Sequence, residues 1–348
     1  KLDESGDAPA VLARHARYFL ELAQTGTARL READQVRWLE TLEREHDNMR
    51  AVLSWAASSG NVEIELQLAG ALAKFWEFHA HLTEGQRRLE GALSRAAAAS
   101  SDLRALCLQG AGVLARSQGE FKRSQAMLEE AVAIRREQGD KDALAEALRN
   151  LGNICFDRGD IEATRQHYEE SRELYREIGD EFGEASSLNN LGVLASYEED
   201  WERAGRLYEQ SLEYFRGRDD MQGIARGLMN LGEVRVMQED YDGAEILLRQ
   251  SFVLFRELRS DWDIVYVLES MAHVRNGRGR GIDAARLLGA AEELREVLGA
   301  PRPPNEQEPY ERHVQRARES VDPEDFEKAW AEGRSLTVEE AVDLALSG

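Results

Sequence analysis

Three asparagines stand 40 residues apart, Asn150, Asn190 and Asn230, with Asn153 three residues after the first. A primary amide carries two N–H donors and a carbonyl acceptor. A ladder of them on one face could satisfy the backbone amides of an extended peptide whatever its side chains. The competing use is internal, because the same amides can bond to neighbouring helices.

Other constellations lead nowhere. A nucleotide-hydrolysing site needs a GxxxxGK[ST] loop, and none is present. The run Gly277-Arg278-Gly279-Arg280-Gly281 is glycine-rich but follows a helical stretch and lacks the Lys-Ser/Thr ending, so it reads as a turn. The seven histidines show no zinc-finger spacing. His79 and His81, two apart, would lie on different faces of a helix, so no metal is expected. Cys107 and Cys155 form no CxxC pair and read as buried small apolar residues of a reducing compartment. With 66 Asp+Glu, any one carboxylate pair is uninformative. No Ser-His-Asp arrangement follows from order alone. The expectation is a chain that is not an enzyme and has no cofactor.

Charge and hydropathy narrow the partners. Lys+Arg number 44 against 66 Asp+Glu, a net charge of −22. That balance opposes contact with phosphate backbones, which recruit Lys and Arg, so no direct nucleic-acid binding is expected. The longest stretch without Asp, Glu, Lys, Arg or His, Ala185–Tyr197, has 13 residues, short of the ~20 of a membrane helix. No secretory signal opens the chain, and a cytoplasmic protein is expected. The chain begins at Lys1, which suggests a piece of something larger.

The elements that must position the asparagines repeat with the same period. Leu151-Gly152, Leu191-Gly192 and Leu231-Gly232 are 40 apart, as are Phe121, Ile161, Trp201 and Tyr241. So are Ala204, Ala244 and Ala284; Leu128, Tyr168, Tyr208, Leu248 and Leu288; and Ala131, Ser171, Ser211, Ser251 and Ala291. Each unit reads as two helices: Asp142–Asp157, a turn at Arg158-Gly159-Asp160, then Ile161–Ile178 closed by Gly179-Asp180. The six prolines, Pro9, Pro301, Pro303, Pro304, Pro309 and Pro323, leave this body untouched. Mid-helix Gly152, Gly192 and Gly232 imply a close helix crossing, with Ala204 and Ala244 expected as its other side. The Tyr168 and Tyr208 column is expected between successive hairpins. A single hairpin cannot bury its apolar face, so stacking is compulsory.

The order Leu-Gly, a turn Gly, then Ala, an aromatic and a small residue resembles the tetratricopeptide repeat (TPR), with helices longer than usual. The resemblance implies an all-α, right-handed superhelical solenoid. We expect an N-terminal helical cap over 1–61 and a solenoid over 62–299, comprising a degenerate hairpin at 62–100 and five repeats. A Pro-rich break and C-terminal cap follow over 300–348. In TPR arrays the first helix of each unit lines a concave groove. The groove positions here are Glu146, Arg149, Asn150, Asn153, Phe156 and Asp157 in one unit. Ser186, Asn189, Asn190, Val193, Ser196 and Tyr197 follow in the next, then Arg226, Met229, Asn230, Glu233, Val236 and Met237. Peptide-clamping TPR grooves place Asn at the Asn150 and Asn153 positions, and Arg149 and Arg226 would suit a terminal carboxylate. The sites expected to bind ligand are Arg149, Asn150, Asn153, Asn189, Asn190, Tyr197, Arg226, Asn230 and Glu233.

Two end segments carry a second resemblance. Arg14-His15-Ala16-Arg17-Tyr18-Phe19, Trp38-Leu39-Glu40 and Glu45-His46-Asp47-Asn48-Met49-Arg50 resemble the entry to the TPR region of STAND-class signalling ATPases, bacterial regulators with an NB-ARC-like nucleotide module. Leu287-Leu288-Gly289-Ala290-Ala291-Glu292 and Ala329-Trp330-Ala331-Glu332-Gly333 resemble the other end of the same region. This implies a non-catalytic sensor of a transcriptional regulator, with the nucleotide module upstream and a LuxR-type DNA-binding domain in some relatives. Its ligand would be a protein, a peptide or a small-molecule inducer. The alternative is a stand-alone TPR scaffold or peptide receptor.

Overall fold

The computed structural model describes residues 8–30, 34–79, 81–96, 100–299 and 301–347. Residues 1–7 and 31–33 of the expected N-terminal cap lie outside them. Among the described residues every regular element is an α-helix, and the chain divides into two compact units, 1–151 and 152–348.

The first unit holds α1 (Ala8–Arg29), α2 (Gln35–Arg44), α3 (His46–Ser59), α4 (Val62–Phe78), α5 (Leu82–Arg95), α6 (Ser101–Ser117) and α7 (Phe121–Gln138), then most of α8 (Lys141–Asp157). Its core joins Met49, Leu53, Leu66, Phe75, Trp76, Leu89 and Leu114. Within the N-terminal cap the chain from Gln35 to Ser59 forms two helices, broken at Glu45, which both closes α2 and opens α3. His79 and His81 do not share a helix: His79 ends α4 and His81 opens α5.

The second unit carries the repeats forward through α9 (Ile161–Ile178), α10 (Glu181–Tyr197), α11 (Trp201–Gly217), α12 (Met221–Met237), α13 (Tyr241–Glu257), α14 (Asp261–Gly277) and α15 (Gly281–Leu298). One core cluster joins Ala195, Ala204, Tyr208, Leu212, Leu228, Leu231 and Val234. The turns obey a 20-residue rule. Gly119, Gly139, Gly159, Gly179, Glu199, Asp219, Glu239, Arg259, Gly279 and Gly299 all have φ between 53° and 80°. This left-handed residue reverses the chain, and from Gly119 to Gly279 a polar residue, most often Asp, follows it. The Asp160, Asp200 and Asp240 side chains each accept from the backbone N–H three residues on, satisfying a donor that the helix start leaves open.

The glycine column does mark a close approach, but its partner differs from expectation. A Cβ on Gly152 would lie 2.5 Å from the Tyr168 ring, and one on Gly232 would lie 2.8 Å from Leu248. The ring column therefore sits inside each hairpin, on its glycine, rather than between hairpins. The alanines stand behind it: the Ala244 carbonyl would be 3.5 Å from the same Gly232 Cβ. The serine column pins the outer helices, since Ser211 Oγ donates to the Ala185 carbonyl and Ser251 Oγ to the Ala225 carbonyl, each at 2.8 Å.

Beyond the repeats come α16 (Pro304–Glu319), α17 (Pro323–Arg334) and α18 (Val338–Leu346). Among the described residues the Pro-rich run interrupts the helices only over 301–303. Pro304 starts α16, where a missing N–H is harmless, and Pro309 is tolerated inside it. Thr337 and Glu340 close a capping box on α18, with bonds of 3.2 and 2.9 Å.

Candidate ligand-binding surface

The first helix of each hairpin in the second unit carries the expected polar column, with Asn153, Asn189 and Asn190 half-buried and Asn230 buried. Asn190 Nδ2 donates to Asn153 Oδ1 at 3.0 Å, and the Tyr168 hydroxyl donates to the same oxygen at 2.9 Å. Asn230 Nδ2 donates to Asn189 Oδ1 at 3.0 Å. One repeat later Ser270 Oγ donates to Glu233 Oε1 at 2.8 Å. A single pattern covers all three: a short polar side chain reaches back to a polar side chain of the preceding first helix. The internal use of the amides is therefore realised. Each of the two asparagine-donated bonds takes one N–H of the two that the donor owns.

The other expected residues vary in their reach. Tyr197 is 44 % exposed and lies edge-on to Phe156, with centroids 5.5 Å apart. Met237 is exposed, whereas Val236 is buried and faces the core. Arg226 Nε bonds Asp263 Oδ1 at 3.2 Å, so its guanidinium is already anchored. Asp263 is itself buried and takes the Ser260 hydroxyl at 2.6 Å. In the first unit Arg149 stands 3.8 Å from Glu146, and Asn150 is buried. Glu233 is exposed as a residue; desolvation at its carboxyl pushes that group up, while the Ser270 bond pulls it back and the Glu269 charge adds to the rise.

Sequence reasoning missed the face where α14 meets α16. Glu269 takes bonds from Arg295 at 3.0 Å and from Arg302 at 2.7 Å. Burial raises its carboxyl, but the two guanidinium groups outweigh that and hold it below the usual range. The Arg302 guanidinium lies 3.4 Å from the centroid of the Tyr310 ring, and the His273 and His313 rings are 4.0 Å apart. Burial and neighbouring charge push His273 down to about 4 and His313 to about 3, so both are neutral. Glu306 goes the other way, to about 7, because burial dominates and the Asp157 and Glu269 charges add to it against Arg295 and Arg302. The Tyr310 hydroxyl, His313 Nε2 and both amide atoms of Asn305 are buried with no hydrogen-bond partner among the described residues. Such atoms are uncommon in native folds.

Two tetratricopeptide-repeat family models match the chain, one over residues 143–217 and one over 104–137. A Mycobacterium bovis protein with the provisional name of HTH-type transcriptional regulator is 34% identical over 152 residues. That segment is 41% of this chain and 17% of that protein, so the match spans about a sixth of the relative's length. Among solved structures, NprR in complex with its cognate peptide NprX is 14% identical with a TM-score of 0.58, covering 85% of this chain and 88% of that one. A Rap protein complexed with Competence and Sporulation Factor is 12% identical with a TM-score of 0.57, covering 93% and 99%. Residues 104–137 and 143–217 are thus tetratricopeptide repeats, in an all-α chain with the fold of TPR-like solenoid proteins.

Proposed function

We propose that the chain is the sensing region of a larger transcriptional regulator of the STAND class, and that it takes an extended peptide across the first helices of its second unit. The observation that carries the reading is the uncharged polar column of Asn153, Asn189, Asn190 and Asn230, flanked by exposed Tyr197 and Met237. An amide column can pair with peptide backbone without reading side chains, and an aromatic and a methionine at its edge supply adaptable apolar contact. Peptide complexes of the same fold, and a longer relative named as a regulator, support the reading. Occupancy would bias the attached nucleotide module, which lies in the rest of the parent protein.

The test is a displayed library of random peptides panned on the full chain and on the Asn190→Ala/Asn230→Ala variant. Enrichment on the first and its loss on the second, with helical circular dichroism unchanged, is expected. Equal enrichment overturns the groove reading. The parent sequence tests the rest: a phosphate loop upstream of Lys1 supports the regulator, and its absence leaves a stand-alone peptide receptor. A second reading, a small polar inducer, is favoured by the unpartnered Asn305, Tyr310 and His313 atoms. A ligand there would contact α14 and α16 and be insensitive to the asparagine substitutions.

A further inference from the structure

Four helix ends of the first unit bring three imidazoles to one carboxylate. Glu43 lies in the last turn of α2, His46 opens α3, His79 closes α4 and His81 opens α5. Glu43 Oε2 is 3.1 Å from His81 Nε2 and 3.3 Å from His79 Nδ1. One donor atom each from Glu43, His46 and His81 falls within 4.8 Å of the other two. The fully buried Phe75 ring makes the floor of the cluster, with its centroid 5.0, 5.1 and 5.7 Å from the rings of His46, His79 and His81. Beside it, Glu84 is held by a forked pair of bonds from Arg50 and lies 4.0 Å from His46 Nε2.

We propose that Glu43, His46 and His81 form a binding site for a divalent cation of the zinc class, with His79 as a further imidazole in reach. Zinc takes imidazole nitrogen and carboxylate oxygen at roughly 2.0–2.1 Å in a tetrahedron, which places ligand atoms about 3.3 Å apart. The Glu43–His81 and Glu43–His79 separations already have that size. The donors come from helix ends on both sides of the α3–α4 connection, so a bound ion would tie the α2–α3 break to the α4–α5 loop. Glu43 and His81 are partly exposed, which gives an ion a way in.

His46 adds a distinguishing consequence. Its Nε2 accepts the Trp76 indole N–H at 3.1 Å. A neutral imidazole has one lone pair, so whichever nitrogen takes the metal, that N–H must give up its acceptor. Zinc binding through His46 therefore changes the surroundings of a fully buried indole.

The experiment titrates zinc chloride into the untagged, chelator-stripped full chain by calorimetry and by tryptophan emission. One ion per chain is expected, with an emission change that saturates at the same equivalence and disappears in Trp76→Phe. Glu43→Gln and His81→Asn should each weaken binding tenfold or more while leaving the helical circular dichroism and melt of the metal-free chain near wild type. Absence of stoichiometric binding in the wild-type chain overturns the site. So does wild-type affinity in the Glu43→Gln/His81→Asn double variant.

Discussion

A Cβ built on Gly192 would lie 2.5 Å from the Tyr208 ring, closer than real side chains approach. The ring is fixed from its other end, because the Tyr208 hydroxyl is 3.1 Å from Ser196 Oγ. It has no room to withdraw. Gly192→Leu should therefore pry α10 from α11 and lower stability by about 1–3 kcal/mol, the usual penalty of overpacking. Gly205, also mid-helix, would place a Cβ only near Val234 at 3.8 Å. There Gly205→Ala should raise stability by up to ~1 kcal/mol from helix propensity alone. Thermal melts followed by circular dichroism decide it, and shifts of the same sign would refute the close-approach account.

The turns make a second prediction. Glu239 has φ 60°, in the left-handed region where a side chain costs about 1–2 kcal/mol. The equivalent turn one repeat on uses Gly279. Glu239→Gly should stabilise by roughly 0.5–1 kcal/mol, since the relief of strain exceeds the added flexibility of the unfolded chain. Gly159→Glu should do the reverse. Urea midpoints measure both.

The repeat was legible because one hairpin geometry imposes the same residue at the same place every 40 positions. A glycine under a ring, a capping aspartate and a pinning serine are local demands, and each wrote its own column. Which residue met the glycine was not legible, because Tyr208 and Ala204 are one helical turn apart on the same face. The asparagine column was visible, but its bonds were not, since the partner of Asn190 lies 37 residues away and depends on how hairpins stack. The α14–α16 face was hidden by Pro309, which reads as a helix breaker. The histidine cluster was hidden by the assumption that His79 and His81 share a helix.

The stacking bonds can be weighed by a cycle. Asn189→Ala, Asn230→Ala and the double variant should show a coupling of about 0.5–1.5 kcal/mol, the net worth of one such bond. Additive losses would mean that the 3.0 Å contact contributes nothing to stacking.

Glu245 makes the second unit sensitive to acid. Burial pushes its carboxyl up, but bonds from Arg249, Arg275 and Arg278 outweigh it and bring it down to about 2. Arg275 is buried and also donates to the Ala345 carbonyl at 2.9 Å, so the cluster ties α13 and α14 to α18. The folded value lies below the unfolded ~4.3. Its stabilisation is therefore present above about pH 4.3 and is lost as pH falls toward 2. Glu245→Gln leaves buried guanidinium charge uncompensated and should destabilise the chain by about 3–5 kcal/mol at pH 7. Its melt should also lose the wild-type dependence on pH below 4.

Glu306 has the opposite sense. Its carboxyl is raised to about 7, above the unfolded ~4.3. Below about pH 4.3 it is neutral in both states and carries no penalty. As pH rises toward 7 the unfolded chain ionises freely while the folded one resists, so stability falls across that window and levels off above it. The stress falls on α16, whose Tyr310 and His313 pack on α14 through Arg302 and His273. Glu306→Gln should match the wild type at pH 4 and exceed it at pH 8 by roughly 1–3 kcal/mol. Hydrogen exchange of the α16 amides should slow in the variant at pH 8 and not at pH 4. Equal stability at pH 8 would show that Glu306 ionises freely in the folded chain.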